Sequence, residues 1–174
     1  METTTEVTVA TVPEETVANT QAVETQAVTD TASVGEKNAL RKAHDYLNYT
    51  AFSYTGLIGQ LEYEGFTTEE ATYAVDNCGA DWFEQAEKKA ADYLNYSAFS
   101  YTGLIGQLEY EGFTTEEATR AADNCGADWN EQAVKKAKEY LDYSSFSRSG
   151  LIGQLKYEGF TNEQAEYGVT QNGL

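Results

Sequence analysis

The chain has 174 residues, 29 acidic against 11 basic side chains, and a formal net charge of −18. Phosphate backbones and anionic lipid surfaces repel so acidic a chain, so the composition disfavours nucleic-acid binding and electrostatic membrane docking and favours a basic partner. Hydrophobic residues make up 41%, which is low for one large core, so we expect several small ones.

The N-terminal segment differs in composition from the rest of the chain. Residues 1–34 contain no aromatic and no basic residue, and ten Thr and seven Val are mixed with six acids. Such a composition cannot bury enough apolar surface to offset the entropy of ordering the chain. We therefore predict a disordered linker over residues 1–34.

From residue 35 onward the sequence repeats with a period of 47 residues. Residues 48–82 and 95–129 are identical at 32 of 35 positions, and a more divergent third copy follows at the same offset. A period of this length indicates a tandem array in which each unit contacts mainly its neighbours. The predicted units span residues 35–80, 81–127 and 128–174.

Each unit is predicted to begin with a helix, called helix A. In unit two it follows Asp81, a good N-cap residue, and Glu84 stands at the spacing of a capping box. Asp128 and Glu131 repeat this pattern in unit three, and Ser33 and Glu36 take the same roles in unit one. An apolar stripe at helical spacing follows in unit two, made of Trp82, Ala86, Ala90, Tyr93 and Leu94.

Two shorter helices, B and C, complete each unit. In unit one Tyr54, Leu57, Ile58 and Leu61 mark the buried face of helix B, and Gly65 ends it as a left-handed C-cap. Helix C opens with a second capping box, Thr67 with Glu70, and runs to Gly79. The predicted fold is therefore all-α: a tandem array of three short, helix-turn-helix-like repeats after a disordered tail.

The sequence offers little for catalysis or metal binding. His44 is the only histidine and comes with no ligand or base at useful spacing, so we expect it on the surface of helix A. Cys78 and Cys125 are predicted to be free, small buried residues at the end of helix C. We predict no enzyme, no cofactor and no metal. Gly56 and Gly59 lie inside helix B and indicate close approach of another helix.

An acidic and aromatic surface occurs twice, on helices B and C of units one and two. Clustered carboxylates and tyrosines suit a cationic protein partner, but a solvated face that compensates the helix dipole explains the same acids. Unit three carries Lys156, Gln164 and Thr170 in place of three acids, so we expect the site in units one and two. The predicted partner-binding residues, called the acidic surface below, are Glu62, Tyr63, Glu64, Glu69, Glu70, Asp76, Glu109, Tyr110, Glu111, Glu116, Glu117 and Asp123.

Three sequence stretches carry a resemblance to a known family. They are Ala-Asp-Trp at the start of helix A, Tyr-Leu-x-Tyr-Ser-x-Phe-Ser at its end, and Gly-Leu-Ile-x-Gln-Leu-x-Tyr-Glu-Gly-Phe-Thr-x-Glu-Glu-Ala across helices B and C. Over residues 36–174 the repeat resembles that of the Ltp family. These are host cell surface-exposed lipoproteins known from prophages of Gram-positive bacteria and from related bacterial chains.

The resemblance implies superinfection exclusion, which means blocking DNA entry by a second phage, at the surface of a Gram-positive cell. It also implies a partner, a basic segment of the phage injection (tape measure) protein. The sequence shows no signal peptide and no lipobox cysteine, so we expect the lipid anchor to be absent from this chain. We expect a monomer. The alternative function is a cell-wall or adhesive module whose tyrosines contact glycan.

Overall fold

The computed structural model describes residues 31–174, and this part of the chain is entirely α-helical. Its nine helices are α1 (Val34–Tyr49), α2 (Tyr54–Tyr63), α3 (Thr68–Asn77), α4 (Trp82–Tyr96), α5 (Tyr101–Tyr110), α6 (Thr115–Asn124), α7 (Trp129–Tyr143), α8 (Arg148–Tyr157) and α9 (Asn162–Gln171). The all-α array of three three-helix repeats is confirmed, with α1, α4 and α7 as the A helices. Residues 1–30 of the predicted disordered linker lie outside the described residues.

The predicted caps set most of the helix ends. Ser33 with Glu36 and Thr67 with Glu70 form complete capping boxes. In each box the cap side chain accepts from the glutamate amide, and the glutamate side chain accepts from the cap amide. Gly65 and Gly79 follow the ends of helices B and C with φ of 96° and 69°. This left-handed conformation has a low cost only for glycine, which explains why the helices stop there.

The start of α4 departs from the predicted pattern. Asp81 caps the helix by accepting hydrogen bonds from the amides of Phe83 and Glu84. The Glu84 carboxylate does not return to the cap; it lies 2.9 Å from Nζ of Lys88, one turn further on. The N-cap is therefore confirmed, whereas the reciprocal arm of the box is replaced by an i,i+4 ion pair.

Each unit buries a small core of its own, as the composition predicts. Helix A contributes two alanines, helix B two leucines and helix C small residues, so that the three helices approach closely around a few larger side chains. In unit one these are Ala39, Ala43, Leu57, Leu61, Ala71, Ala74 and Val75. Each fully buried leucine contributes about 1.5–3 kcal/mol to the free energy of unfolding, so the core of a single unit gives it only modest stability.

The first tryptophan of the chain joins two units. Trp82 begins α4, yet it packs against the core of unit one, with its ring 5.6 Å from that of Tyr54 in an edge-to-face arrangement. Trp129 does the same at the start of α7 against Tyr101 of unit two. The apolar stripe of helix A includes Trp82 but does not determine which core its ring enters; the ring lies at the boundary between units.

A second set of contacts joins the start of one helix B to the end of the next. Ser53 donates through Oγ to the backbone carbonyl of Glu111 at 2.6 Å, and Thr55 donates to that of Gly112 at 3.0 Å. The junction of units two and three repeats both bonds, from Ser100 to Glu158 at 2.6 Å and from Thr102 to Gly159 at 3.2 Å. Consecutive units therefore stack through the same hydrogen bonds.

The two helix-B glycines differ in their surroundings. A Cβ atom on Gly56 would lie 3.3 Å from the carbonyl oxygen of Glu111 in the next unit and 2.8 Å from Ser53 Oγ. A Cβ atom on Gly59 would meet nothing within 4 Å. Close approach is therefore confirmed for Gly56, although the neighbour is a helix terminus, and it is wrong for Gly59.

Candidate protein-binding surface

The twelve residues of the acidic surface lie at the end of helix B, in the following turn and along helix C of units one and two. Its two tyrosines are highly exposed, with Tyr63 87% and Tyr110 86% accessible. The carboxylates fall into three groups according to what else they contact. These contacts decide which of them a partner can reach without disturbing the fold.

The first group ties helix A to the end of helix B. The phenol of Tyr46 donates to one carboxylate oxygen of Glu64, and Nζ of Lys42 lies 3.4 Å from the other. The Tyr46 hydrogen bond is the main cause that lowers the pKa of Glu64, and the same bond raises the pKa of Tyr46. Both acceptor oxygens of Glu64 thus face its own unit.

Unit two repeats this arrangement around Glu111. Its carboxylate accepts from Tyr93 and lies 3.4 Å from Lys89. Burial first, and the Glu111 hydrogen bond second, raise the pKa of Tyr93. The backbone carbonyl of Glu111 also accepts from Ser53 across the junction. Glu111 is therefore held on several sides and acts mainly in the architecture.

The second group accepts hydrogen bonds from neutral groups only. Glu62 accepts from the hydroxyl of Thr68 at 2.6 Å, and Asp76 from the phenol of Tyr54 at 2.8 Å. Glu109 and Asp123 make the corresponding bonds in unit two. A neutral donor leaves the negative charge in place, so these exposed carboxylates can still attract a cation. Glu70 and Glu117 belong here in part, because each completes a capping box.

The third group is free of such contacts. Glu69 and Glu116 are exposed on the first turn of helix C, and within residues 31–174 neither side chain has a hydrogen bond or ion pair. Each follows an N-cap threonine, where the helix dipole favours a negative charge. Together with Tyr63 and Tyr110, they are the members of the acidic surface most available to a partner.

The structure also shows exposed tyrosines that the sequence reasoning missed. Tyr49, Tyr96 and Tyr143 occupy the last position of the three A helices and are 90%, 91% and 93% exposed. Helical periodicity alone places them near the buried stripe, since each lies three residues after a core tyrosine. Their identical offset in all three copies is no signal of exposure, because the partly buried tyrosines three residues earlier recur with the same regularity.

The histidine and the two cysteines form no functional site within the described residues. His44 is exposed, as predicted. Both cysteines are free, and Cys78 is buried whereas Cys125 is only partly so. Over the described range no three His, Cys, Asp or Glu side chains are grouped so that they could hold a metal ion. None of the helices between residues 31 and 174 combines the length and the apolar character that crossing a bilayer requires.

Comparison with known proteins connects this repeat to one family. The family model described as host cell surface-exposed lipoprotein, Ltp, matches residues 35–78, 81–125 and 128–171. No curated protein matches the chain. The chain is similar to the solved structure of Ltp, a superinfection exclusion protein from the Streptococcus thermophilus temperate phage TP-J34. The identity is 33%, over 51% of this chain and 92% of that one, and the TM-score is 0.48. Since the family model matches well over half of its residues, the chain belongs to the Ltp family of host cell surface-exposed lipoproteins.

Proposed function

We propose that this chain acts in superinfection exclusion at the surface of a Gram-positive bacterium. It does so by binding a basic segment of an incoming phage's tape measure protein to the acidic surface of units one and two. The solved relative is a superinfection exclusion protein by name, and the family is one of host cell surface-exposed lipoproteins. The proposed role is binding without catalysis, by a monomer, to protein and not to nucleic acid.

The observation that carries this proposal is that the fold does not require the acidity of units one and two. In unit one Thr68 donates to Glu62 at 2.6 Å; at the same two positions of unit three Lys156 donates to Asn162 at 3.2 Å. The link between helices B and C is kept while the charge is reversed. The negative charge of Glu62 is therefore not needed to make that link.

At two further positions unit three also keeps the local contact without the acid. The Tyr54–Asp76 pair of unit one corresponds in unit three to Arg148, which donates to Thr170 at 3.1 Å. Gln164 completes the capping box of α9 in the place where Glu70 completes that of α3. Unit three thus keeps these local contacts without an acid at any of the three positions, and the charges at those positions in units one and two are available to a partner.

The chemistry of the surface fits lysine and arginine side chains. Within residues 31–174 the carboxylates of Glu69 and Glu116 have no internal partners, and Tyr63 and Tyr110 add exposed rings at the end of helix B in the same two units. A cation can pair with a carboxylate or lie over the face of an aromatic ring, and each exposed contact contributes about 0.5–1 kcal/mol. Many weak contacts of this kind give binding that falls as salt rises.

The chain itself supplies fold-compatible variants for the test. Glu62→Lys with Thr68→Asn installs the unit-three pair in unit one, and Glu109→Lys with Thr115→Asn does so in unit two. At about 0.2–1 kcal/mol per exposed ion pair, the combined variant should weaken the Kd for a basic tape-measure peptide by roughly tenfold. The measurement is fluorescence anisotropy at low and high salt, with circular dichroism to verify folding.

The reverse swap is the matched control. Lys156→Glu with Asn162→Thr gives unit three the pair of unit one and should tighten binding of the same peptide by roughly two- to fivefold. Cells that display the variant with the unit-three pair in both unit one and unit two should also allow phage DNA to enter again. Unchanged affinity in both directions of the swap would refute the acidic surface as the binding site.

A further inference from the structure

We propose that the A helices bind a linear, uncharged polysaccharide in grooves between consecutive units. The groove between units one and two has a volume of about 530 Å³ and is lined by Tyr49, Thr50, Lys89, Asp92, Tyr93 and Tyr96. Two of these tyrosines, Tyr49 and Tyr96, are the exposed last residues of α1 and α4. The groove therefore has an aromatic ring from each of the two units it separates.

The groove between units two and three has only part of this lining, and the remaining counterparts line an adjacent hollow. Tyr96 and Ser97 come from the end of α4, and Lys138, Glu139 and Asp142 come from α7. A neighbouring hollow on α7 adds Tyr143, beside Lys136 and Tyr140. Tyr96 therefore lines both grooves. The same junction hydrogen bonds stack each pair of units, so the exposed last tyrosine of helix A recurs beside each junction.

The tyrosine rings are the apolar part of these grooves. At 90%, 91% and 93% exposure, Tyr49, Tyr96 and Tyr143 gain almost nothing from packing within the described chain. An aromatic ring left in water at the same offset in three copies offers a flat apolar face with a polar hydroxyl at its edge. The apolar C–H face of a pyranose ring fits such a platform.

The polar part of the grooves indicates an uncharged ligand. Lys89 pairs with Glu111 at 3.4 Å, Lys136 with Glu139 at 3.0 Å and Lys138 with Asp142 at 2.6 Å. The carboxylates of Asp92 and Glu139 would repel an anionic polymer, and the lysines would repel a basic peptide. Sugar hydroxyls both donate and accept, so they can bond to ammonium, carboxylate and hydroxyl groups without leaving a charge unpaired.

The repetition of the grooves favours a polymer over a single sugar. One weak site per unit, repeated along the stack, gains affinity when one chain occupies several sites at once. A glycan strand has a chemical repeat of its own and can supply the same face to successive tyrosines. The ligand class is therefore a linear neutral glycan, which is also what a protein displayed at the cell surface meets first.

The test is co-sedimentation with chitin, an insoluble, linear and uncharged polymer of N-acetylglucosamine. The wild-type chain should sediment with it, and binding should persist in about 1 M salt because ion pairs do not carry it. Tyr96→Ser, which affects both grooves, should weaken binding by roughly tenfold, and Tyr49→Ser by roughly two- to fourfold. Tyr96 is so exposed that folding should be unaffected, which circular dichroism verifies.

Tyr63→Ser is the matched control, since it removes an equally exposed tyrosine from the acidic surface. It should leave sedimentation unchanged, whereas Tyr96→Ser should leave the affinity for the basic peptide unchanged. Failure to sediment with chitin, loss of binding at high salt, or an equal effect of the two substitutions would each overturn the glycan proposal. Sedimentation with intact cell walls but not with chitin would indicate a charged or protein ligand and overturn it too.

Discussion

Replacing Ser100 by alanine separates the two roles of a buried serine at the junction between units. Ser100 is 2% exposed; its Oγ accepts from the amide of Gly103 at 2.9 Å and donates to the carbonyl of Glu158 at 2.6 Å. Loss of the N-cap costs about 1 kcal/mol, and loss of the hydrogen bond across the junction costs about 1 kcal/mol more. We expect Ser100→Ala to lower the free energy of unfolding by about 2 kcal/mol.

Ser147 provides the control within the same molecule. Its Oγ accepts from the amide of Gly150 at 3.2 Å and makes no bond to another unit within the described residues. Ser147→Ala should therefore cost only the cap, about 1 kcal/mol. The difference between the two substitutions measures one hydrogen bond between units.

Urea unfolding of a Trp82→Phe background is the assay. Trp129 is then the only tryptophan, and it packs against the core of unit two at this junction. The midpoint reported by its fluorescence should fall further for Ser100→Ala than for Ser147→Ala, at an unchanged slope. Equal shifts would refute the inference that the Ser100–Glu158 bond couples the units.

Two further predictions concern helix B and the tyrosines of helix A. Gly59→Ala should raise the free energy of unfolding by about 0.5–1 kcal/mol, because the new Cβ atom would meet nothing within 4 Å and alanine is the better helix former. Gly56→Ala should lower the free energy of unfolding, because its Cβ atom would crowd the backbone carbonyl of Glu111. The difference in urea midpoint between the two variants checks both. The pKa of Tyr93 is raised above 10.0, first by burial and then by Glu111, so its stabilising contribution is present below pH 10 and is lost as the pH rises through the folded-state pKa. Unfolding measured at increasing alkaline pH should show this loss, and Tyr93→Phe should reduce it; an unchanged alkaline profile in Tyr93→Phe would contradict the linkage.

Much of the fold could be predicted because its determinants are local. Capping residues act within one turn, so Ser33, Thr67 and Asp81 identify helix starts from sequence alone. The glycines that follow helices B and C are equally local. What the sequence could not assign were contacts between units, such as Trp82 packing on the preceding core or Ser53 bonding to the end of the next helix B. These depend on how units stack, which no spacing within one unit determines.

The candidate site shows the same limit. Composition and repetition located the acids, but residue type alone does not distinguish one glutamate from another. Glu64 is held by Tyr46 and Lys42, whereas the carboxylate of Glu69 has no such contacts within the described residues. The exposure of Tyr96 could not be predicted either, because a tyrosine at helical spacing is compatible with a core position. In both cases tertiary contacts decide the role.

The distribution of charge keeps the two proposed surfaces separate. Eight of the 11 basic residues lie on the A helices, whereas helices B and C of unit one contain none. The ion pairs Lys42–Glu64 and Lys89–Glu111 join the two sides, and they involve the acids of the acidic surface that the fold already holds. The A helices also carry eight acids and are therefore neutral overall. A basic segment is thus drawn to Glu69 and Tyr63 rather than to the A helices, while an uncharged glycan on the A helices leaves the acids unaffected. The two ligands should therefore bind without competing, and a chain already held on the wall can still capture an incoming basic partner.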